Sequence, residues 1–103
     1  MNQSRRVQLH RLLESVLGSK AVYFQPPTGQ RMSYPCIVYN LDTAHDVHAN
    51  NHIYRRLYRY TMTYITKDPD DLRRDLLDDL PYCSFNRFFA KDNLNHFVYT
   101  IYN

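Results

Sequence analysis

The sequence has no tryptophan, two glycines, two cysteines and no apolar run approaching the roughly 20 residues that cross a bilayer as a helix. Each scarcity removes a class of function. Two glycines are too few for a phosphate-cradling loop, and no G-x-S-x-G or H-E-x-x-H spacing occurs. Cys36 and Cys83 do not make a disulfide framework; they read as free thiols, and a reducing cytoplasm is the expected setting for synthesis. The opening segment, MNQSRRVQLHRLLESVLG, is amphipathic and lacks the apolar stretch of a secretory signal, so none is expected. The net charge of +3, from 13 basic and 10 acidic side chains, is too weak and too diluted by aspartates for a dedicated DNA binder, whose basic patch is usually sharper.

What is present is aromatic. Ten tyrosines and five phenylalanines stand among 103 residues, 44% of them hydrophobic and 22% charged, which describes one small folded domain spanning 1–103. Tyrosine joins apolar area to a polar tip. A small domain this rich in it often buries surface against a partner.

The pattern along the chain predicts a helix over Ser4–Gly18, with Leu9, Leu12, Leu13, Val16 and Leu17 as its apolar stripe, Ser4 as cap and Gly18 as the left-handed terminator. A short strand at Ala21–Phe24 and the loop QPPTGQRMSYP come next. A strand over Tyr34–Asp42 follows. The polar segment TAHDVHANNH reads as a hairpin tip or as a longer arm between strands. Tyr54–Lys67 then alternates. One parity holds Tyr54, Arg56, Tyr58, Tyr60, Met62 and Tyr64; the other holds Arg55, Leu57, Arg59, Thr61, Thr63 and Ile65. The tyrosine–methionine set is expected to pack on the helices and the arginine–threonine set to face solvent or a partner. Asp68-Pro69-Asp70-Asp71 predicts a helix start, with Leu72, Leu76, Leu77 and Leu80 inward and Pro81 as the stop. Ser84–Ala90 and His96–Tyr102 read as two strands around KDNLN, with Phe97, Tyr99 and Ile101 on one face. The expected fold is α+β: a mixed, mostly antiparallel sheet of about four strands with two helices on one face.

Three chemistries can be weighed from residue types alone. His45, His48 and His52, with Asp46 nearby, are of the types that ligate zinc, but their spacing matches no helical pair motif, and a polar exposed loop accounts for them. Cys36 could be imagined as a nucleophile with a histidine and an aspartate, yet inside a strand beside Pro35 it reads as a small buried hydrophobe. No catalytic residue, metal or cofactor is therefore expected. The tyrosine–arginine strand invites a single-stranded RNA platform, but stacking needs the aromatics on the exposed face, and here they alternate with the arginines. A small RNA-binding sheet domain remains the alternative to the reading below, and a regulatory toxin or antitoxin partner is permitted by size alone.

The blocks YPCIVYNLD (34–42), HANNHIYRRLYRYTMTYITKDPD (48–70) and CSFNRFFAKDNLNHFVYTIYN (83–103) together resemble the small tail terminator, or tail-to-head joining, proteins of long-tailed phages. The resemblance rests on the order of several short features: Tyr34-Pro35, the loop ending in Tyr54, the strand leading to Asp68-Pro69-Asp70, and the run from Phe88 to His96. It implies a non-enzymatic virion protein at the head–tail junction, assembled in the host cytoplasm into a ring, usually of six subunits. Such a ring would contact the tail tube and the head connector, let genomic DNA pass without specific binding, and involve no membrane. Asn50 departs from the family, which commonly has an acidic residue there, so no charge-dependent contact is carried over to it. The residues expected at subunit, tube or connector interfaces are Arg55, Arg56 and Arg59 on the strand, Asp71, Asp75, Asp78 and Asp79 on the second helix, and His45, His48, Asn50, Asn51 and His52 in the polar segment. Opposite charges on separate elements suit head-to-tail contacts between copies.

Overall fold

A computed structural model describes residues 5–49 and 52–103, with the side chains of residues 5–42 and 58–103. Along the chain come helix α1 (Arg5–Leu17), strands β1 (Val22–Phe24), β2 (Cys36–Ala49) and β3 (His52–Thr66), helix α2 (Arg73–Asp78), and strands β4 (Cys83–Lys91) and β5 (Leu94–Tyr102). This is the expected element order. The strands form one sheet in the order β1-β2-β3-β5-β4, parallel between β1 and β2 and antiparallel elsewhere. Even the three-residue β1 pairs, which brings the sheet to five strands. The fold is α+β.

Period-2 alternation writes the core across the sheet in rows. Ile37 lies opposite Tyr64, Tyr64 opposite Phe97, and Phe97 opposite Phe88. The next row runs Tyr39, Met62, Tyr99 and Phe85; the one after it runs Leu41, Tyr60, Ile101 and Cys83. Both helices close over these rows, with Leu9, Leu13 and Leu17 from α1 and Leu77 from α2 buried in the same cluster. The tyrosine parity of β3 is therefore inward: Tyr60, Met62 and Tyr64 are buried, and Tyr58 packs partly against the cluster. The other parity, including Arg59, Thr61 and Thr63, lies on the uncovered face.

Local chemistry explains the ends of the elements. Gly18 takes a φ of 80° and donates its N–H to the Glu14 carbonyl at 2.8 Å, closing α1. Asp92 and Asn93, both left-handed at φ 55° and 63°, make the two-residue turn between β4 and β5. The helix expected from Asp68 begins only at Arg73. The Asp70 amide donates to Asp68 Oδ1 (2.9 Å) and the Arg73 amide to Asp71 Oδ1 (2.9 Å). Side-chain turns of this kind compete with helical bonds and hold 68–72 out of the helix. With α2 so short, only Leu77 and Leu80 reach the core, while Leu72 and Leu76 are exposed. Leu12 likewise falls outside the buried stripe.

β2 does not end at Asp42. It continues to Ala49, paired with β3 as far as His52, through register shifts between Leu41 and Thr43 and between Val47 and His48. Polar composition did not stop the strand, because backbone pairing with β3 sustains it. β1 covers β2 only at residues 37–39, and β5 covers β3 only at residues 59–66. Among the described residues no third strand pairs with the ribbon beyond them. Its reach lengthens the molecule to 49 × 30 × 24 Å, with a radius of gyration of 14.7 Å, against about 13 Å for a compact chain of this length.

Leu13 is completely buried and Leu12 is not. Leu13→Ala is therefore expected to lower unfolding stability by about 2–5 kcal/mol, and Leu12→Ala to leave it within about 0.5 kcal/mol, measured by urea denaturation.

Candidate functional site

The polar chemistry of the helix side is spent on holding the domain together. Of three fully buried tyrosines, Tyr39, Tyr64 and Tyr99, the first two place their hydroxyls against polar groups on the helix side. The Tyr39 hydroxyl accepts from an Arg6 guanidinium N–H (3.3 Å) and pairs with His10 Nδ1 (2.7 Å), tying β2 to α1. Its ring lies 4.9 Å from Phe24 and 5.8 Å from Tyr60 between centroids. Burial raises its pKa, partly offset by Arg6.

Tyr64 donates to Asp71 Oδ2 at 2.6 Å, with Thr66 Oγ1 at 3.3 Å and an Arg73 guanidinium N–H at 3.1 Å donating to the same oxygen. Burial alone would push the Asp71 carboxyl up. The Tyr64 hydrogen bond, the Arg73 amide and the Arg73 charge outweigh burial and leave the carboxyl below its ordinary range. Burial first, and then Asp71, push Tyr64 up to about 12. Asp71 was expected at an interface; its side chain is 11% exposed and is engaged internally. Asp75, Asp78 and Asp79 are exposed on α2.

The third hydroxyl differs. Tyr99 OH is buried with no hydrogen-bond partner, as is Arg74 Nε. The Arg74 guanidinium instead lies 4.2 Å from the Phe97 ring centroid and 5.7 Å from that of Phe85. Burial pushes Tyr99 up to about 12.

On the uncovered face, Arg59 Nε donates to Asp42 Oδ2 at 2.9 Å, and Thr61 Oγ1 reaches the same oxygen at 3.5 Å. Both members of the ion pair are more than a third exposed, so solvent and salt screen it. Register places Arg55 opposite Val47 and Arg56 opposite Asp46, and His45 opposite Leu57. His48 lies opposite Ile53 and His52 opposite Ala49. The side chains of Arg55, Arg56, His45, His48 and His52 lie outside the described residues, as do Asn50 and Asn51 altogether. The expected interface set is therefore not gathered in one place: Arg59 is on the uncovered face, and the aspartates of α2 are on the helix side.

Cys36 is fully buried and Cys83 partly so, and burial pushes both thiols up to about 11, which keeps them protonated near neutral pH. Among the described residues no group of three or more His, Cys, Asp or Glu could hold a metal ion. Two surface hollows of about 340 Å³, one along α1 at Arg6, His10 and Glu14 and one beside β1 at Lys20, Tyr23 and Ser33, are open to solvent.

The feature that sequence reasoning missed is the apolar edge. Phe85 and Phe88 extend the core rows onto β4 but are 48% and 49% exposed, and Phe89 on the opposite face is 36% exposed. The F-x-x-F-F spacing in 85–89 was visible in the sequence. That β4 would be the last strand was not.

Tyr64→Phe removes a hydrogen bond to a buried carboxylate and is expected to cost about 1–3 kcal/mol. Tyr99→Phe removes an unpartnered hydroxyl and should cost nothing or stabilise, by the same denaturation measurement. The Asp71 contribution, from a lowered pKa, is present above the ordinary aspartate value near 3.9 and is lost as pH falls below it. Asp71→Asn should therefore flatten the acid limb of the stability–pH curve. In comparisons with known proteins, the chain matches no family model and no curated protein.

Proposed function

We propose that the protein is a structural virion component of a long-tailed phage, a ring subunit that caps the head-proximal end of the tail tube, halts its growth and joins it to the head connector. The observation that carries this reading is the β2–β3 ribbon. Beyond residues 42 and 58, among the described residues, no third strand pairs with it. Two-stranded ribbons are marginal in water by themselves. A chain that keeps one is equipped to lay it against something else. The residue blocks that resemble tail terminators include the β3 strand of this ribbon and, of its β2 strand, only residues 48 and 49. An elongated subunit with helices on one face, an open second face and exposed strand edges is suited to packing among copies.

The RNA-binding alternative draws less support. Its stacking platform would need the β3 tyrosines bare, and Tyr60 and Tyr64 are 4% and 0% exposed. Arg59, which would hold phosphate, is paired with Asp42.

Deleting the coding sequence from a phage that carries it should give tails of uncontrolled length unattached to heads, scored by negative-stain microscopy. Normal virions would end the proposal. Tight, salt-sensitive binding of the purified protein to single-stranded RNA would move the reading to the alternative.

A further inference from the structure

The sheet has two unlike edges. At one end stands β4, exposed from Ser84 to Lys91. On its helix side it offers Phe85 and Phe88; on the other face it offers Arg87, Phe89 and Lys91. At the other end the outer side of β2 is covered by β1 only at residues 37–39, and the Leu41 amide is met by the Gln25 side chain at 3.2 Å. From there to Ala49 that edge is open among the described residues. Where it opens, Leu41 is 45% exposed on the helix side, and Asp42 lies on the uncovered face with Arg59 and Thr61.

Long open edges with apolar side chains invite pairing with another chain. We infer that these two edges are the halves of one contact, in which β4 of one copy adds antiparallel to the outer edge of β2 of the next and carries the sheet from subunit to subunit. The inference rests on the reading of the chain as a ring subunit and names the contact that builds the ring.

Direction, faces and irregularities all agree with it. Three antiparallel pairings separate β2 from β4, so the two strands run in opposite senses. Rotation about an axis along the strands preserves those senses, and β4 then meets the next β2 antiparallel. A register that sets Phe88 opposite Leu41, both on the helix side, also sets Arg87 opposite Asp42, both on the uncovered face. The same register brings the irregularity between Leu41 and Thr43 beside the one between Phe85 and Arg87. The core rows that end in half-exposed phenylalanines would then continue into the neighbour's Leu41, and the Asp42 carboxylate would accept from a second guanidinium. The alternative, β4 against β4 about a twofold axis centred on the strand, sets Arg87 against Arg87, and like charges directly opposite are unfavourable. Contacts between unlike edges generate rings when the rotation closes.

Disulfide trapping tests the contact. In a Cys83→Ser background, Leu41→Cys and Phe88→Cys are introduced singly and together; both positions are exposed, and thermal melts check that each variant folds. Directly opposite antiparallel residues stand about 4.5–5.5 Å apart between Cα atoms, within disulfide reach. After mild oxidation the double variant is expected to give a ladder of covalent multimers on a non-reducing gel, and neither single variant any product. Arg87→Cys alone is made as well: covalent dimers from it, the position that the twofold register sets against itself, would overturn the inference in favour of β4 pairing with itself. No ladder from the double variant, while the unaltered chain sediments as an oligomer, would overturn this contact and leave the ring reading standing. A chain that stays monomeric and unlinked up to about 1 mM, the range of weak contacts, would overturn the inference as well. The ring reading would then be decided by tail length alone.

Discussion

The fold depends on how a core built from tyrosine disposes of its hydroxyls. A buried phenol carries ring area comparable to phenylalanine and a polar atom that costs free energy if left dry and unpaired. Tyr39 and Tyr64 meet that demand by reaching the rim, where Arg6 and His10 on α1 and Asp71 before α2 receive them. Those bonds fix where the helices sit on the sheet. They also explain why Asp71, acidic and near a helix start, is not available for an outside partner. Tyr99 shows the same device incomplete: its ring meets Phe85 edge-on, and its hydroxyl is buried with no bond made.

Putting both helices on one face leaves the sheet with an uncovered second face and two edges. The second face carries Thr61, Thr63 and Thr100 beside the Arg59–Asp42 pair at one end and the buried Cys36, Ile65 and Val98 at the other. Apolar surface remains at the sheet edges, at Leu41, Phe85 and Phe88, and around α2, at Leu72, Leu76 and Tyr82. Titration is shifted mainly inside the domain, at the core tyrosines, at the buried thiols and at Asp71.

Much of this was determined by local pattern. Alternation along the strand assigned Tyr58, Tyr60 and Tyr64 inward and Arg59 outward, because a strand leaves no third option. Gly18, Asp92 and Asn93 marked the ends of elements through their tolerance of positive φ. Helix α1, the element order and the α+β class followed from periodicity. Three things were decided only by the tertiary structure. The helix after Asp68 lost its first turn to side-chain turns that Tyr64, across the core, helps to hold. β2 ran on past Asp42 because its partner strand, not its own composition, sustains it. And the phenylalanines of 85–89 became a half-exposed edge, since strand order is set by which long-range pairings close, and no local signal along the chain carries that.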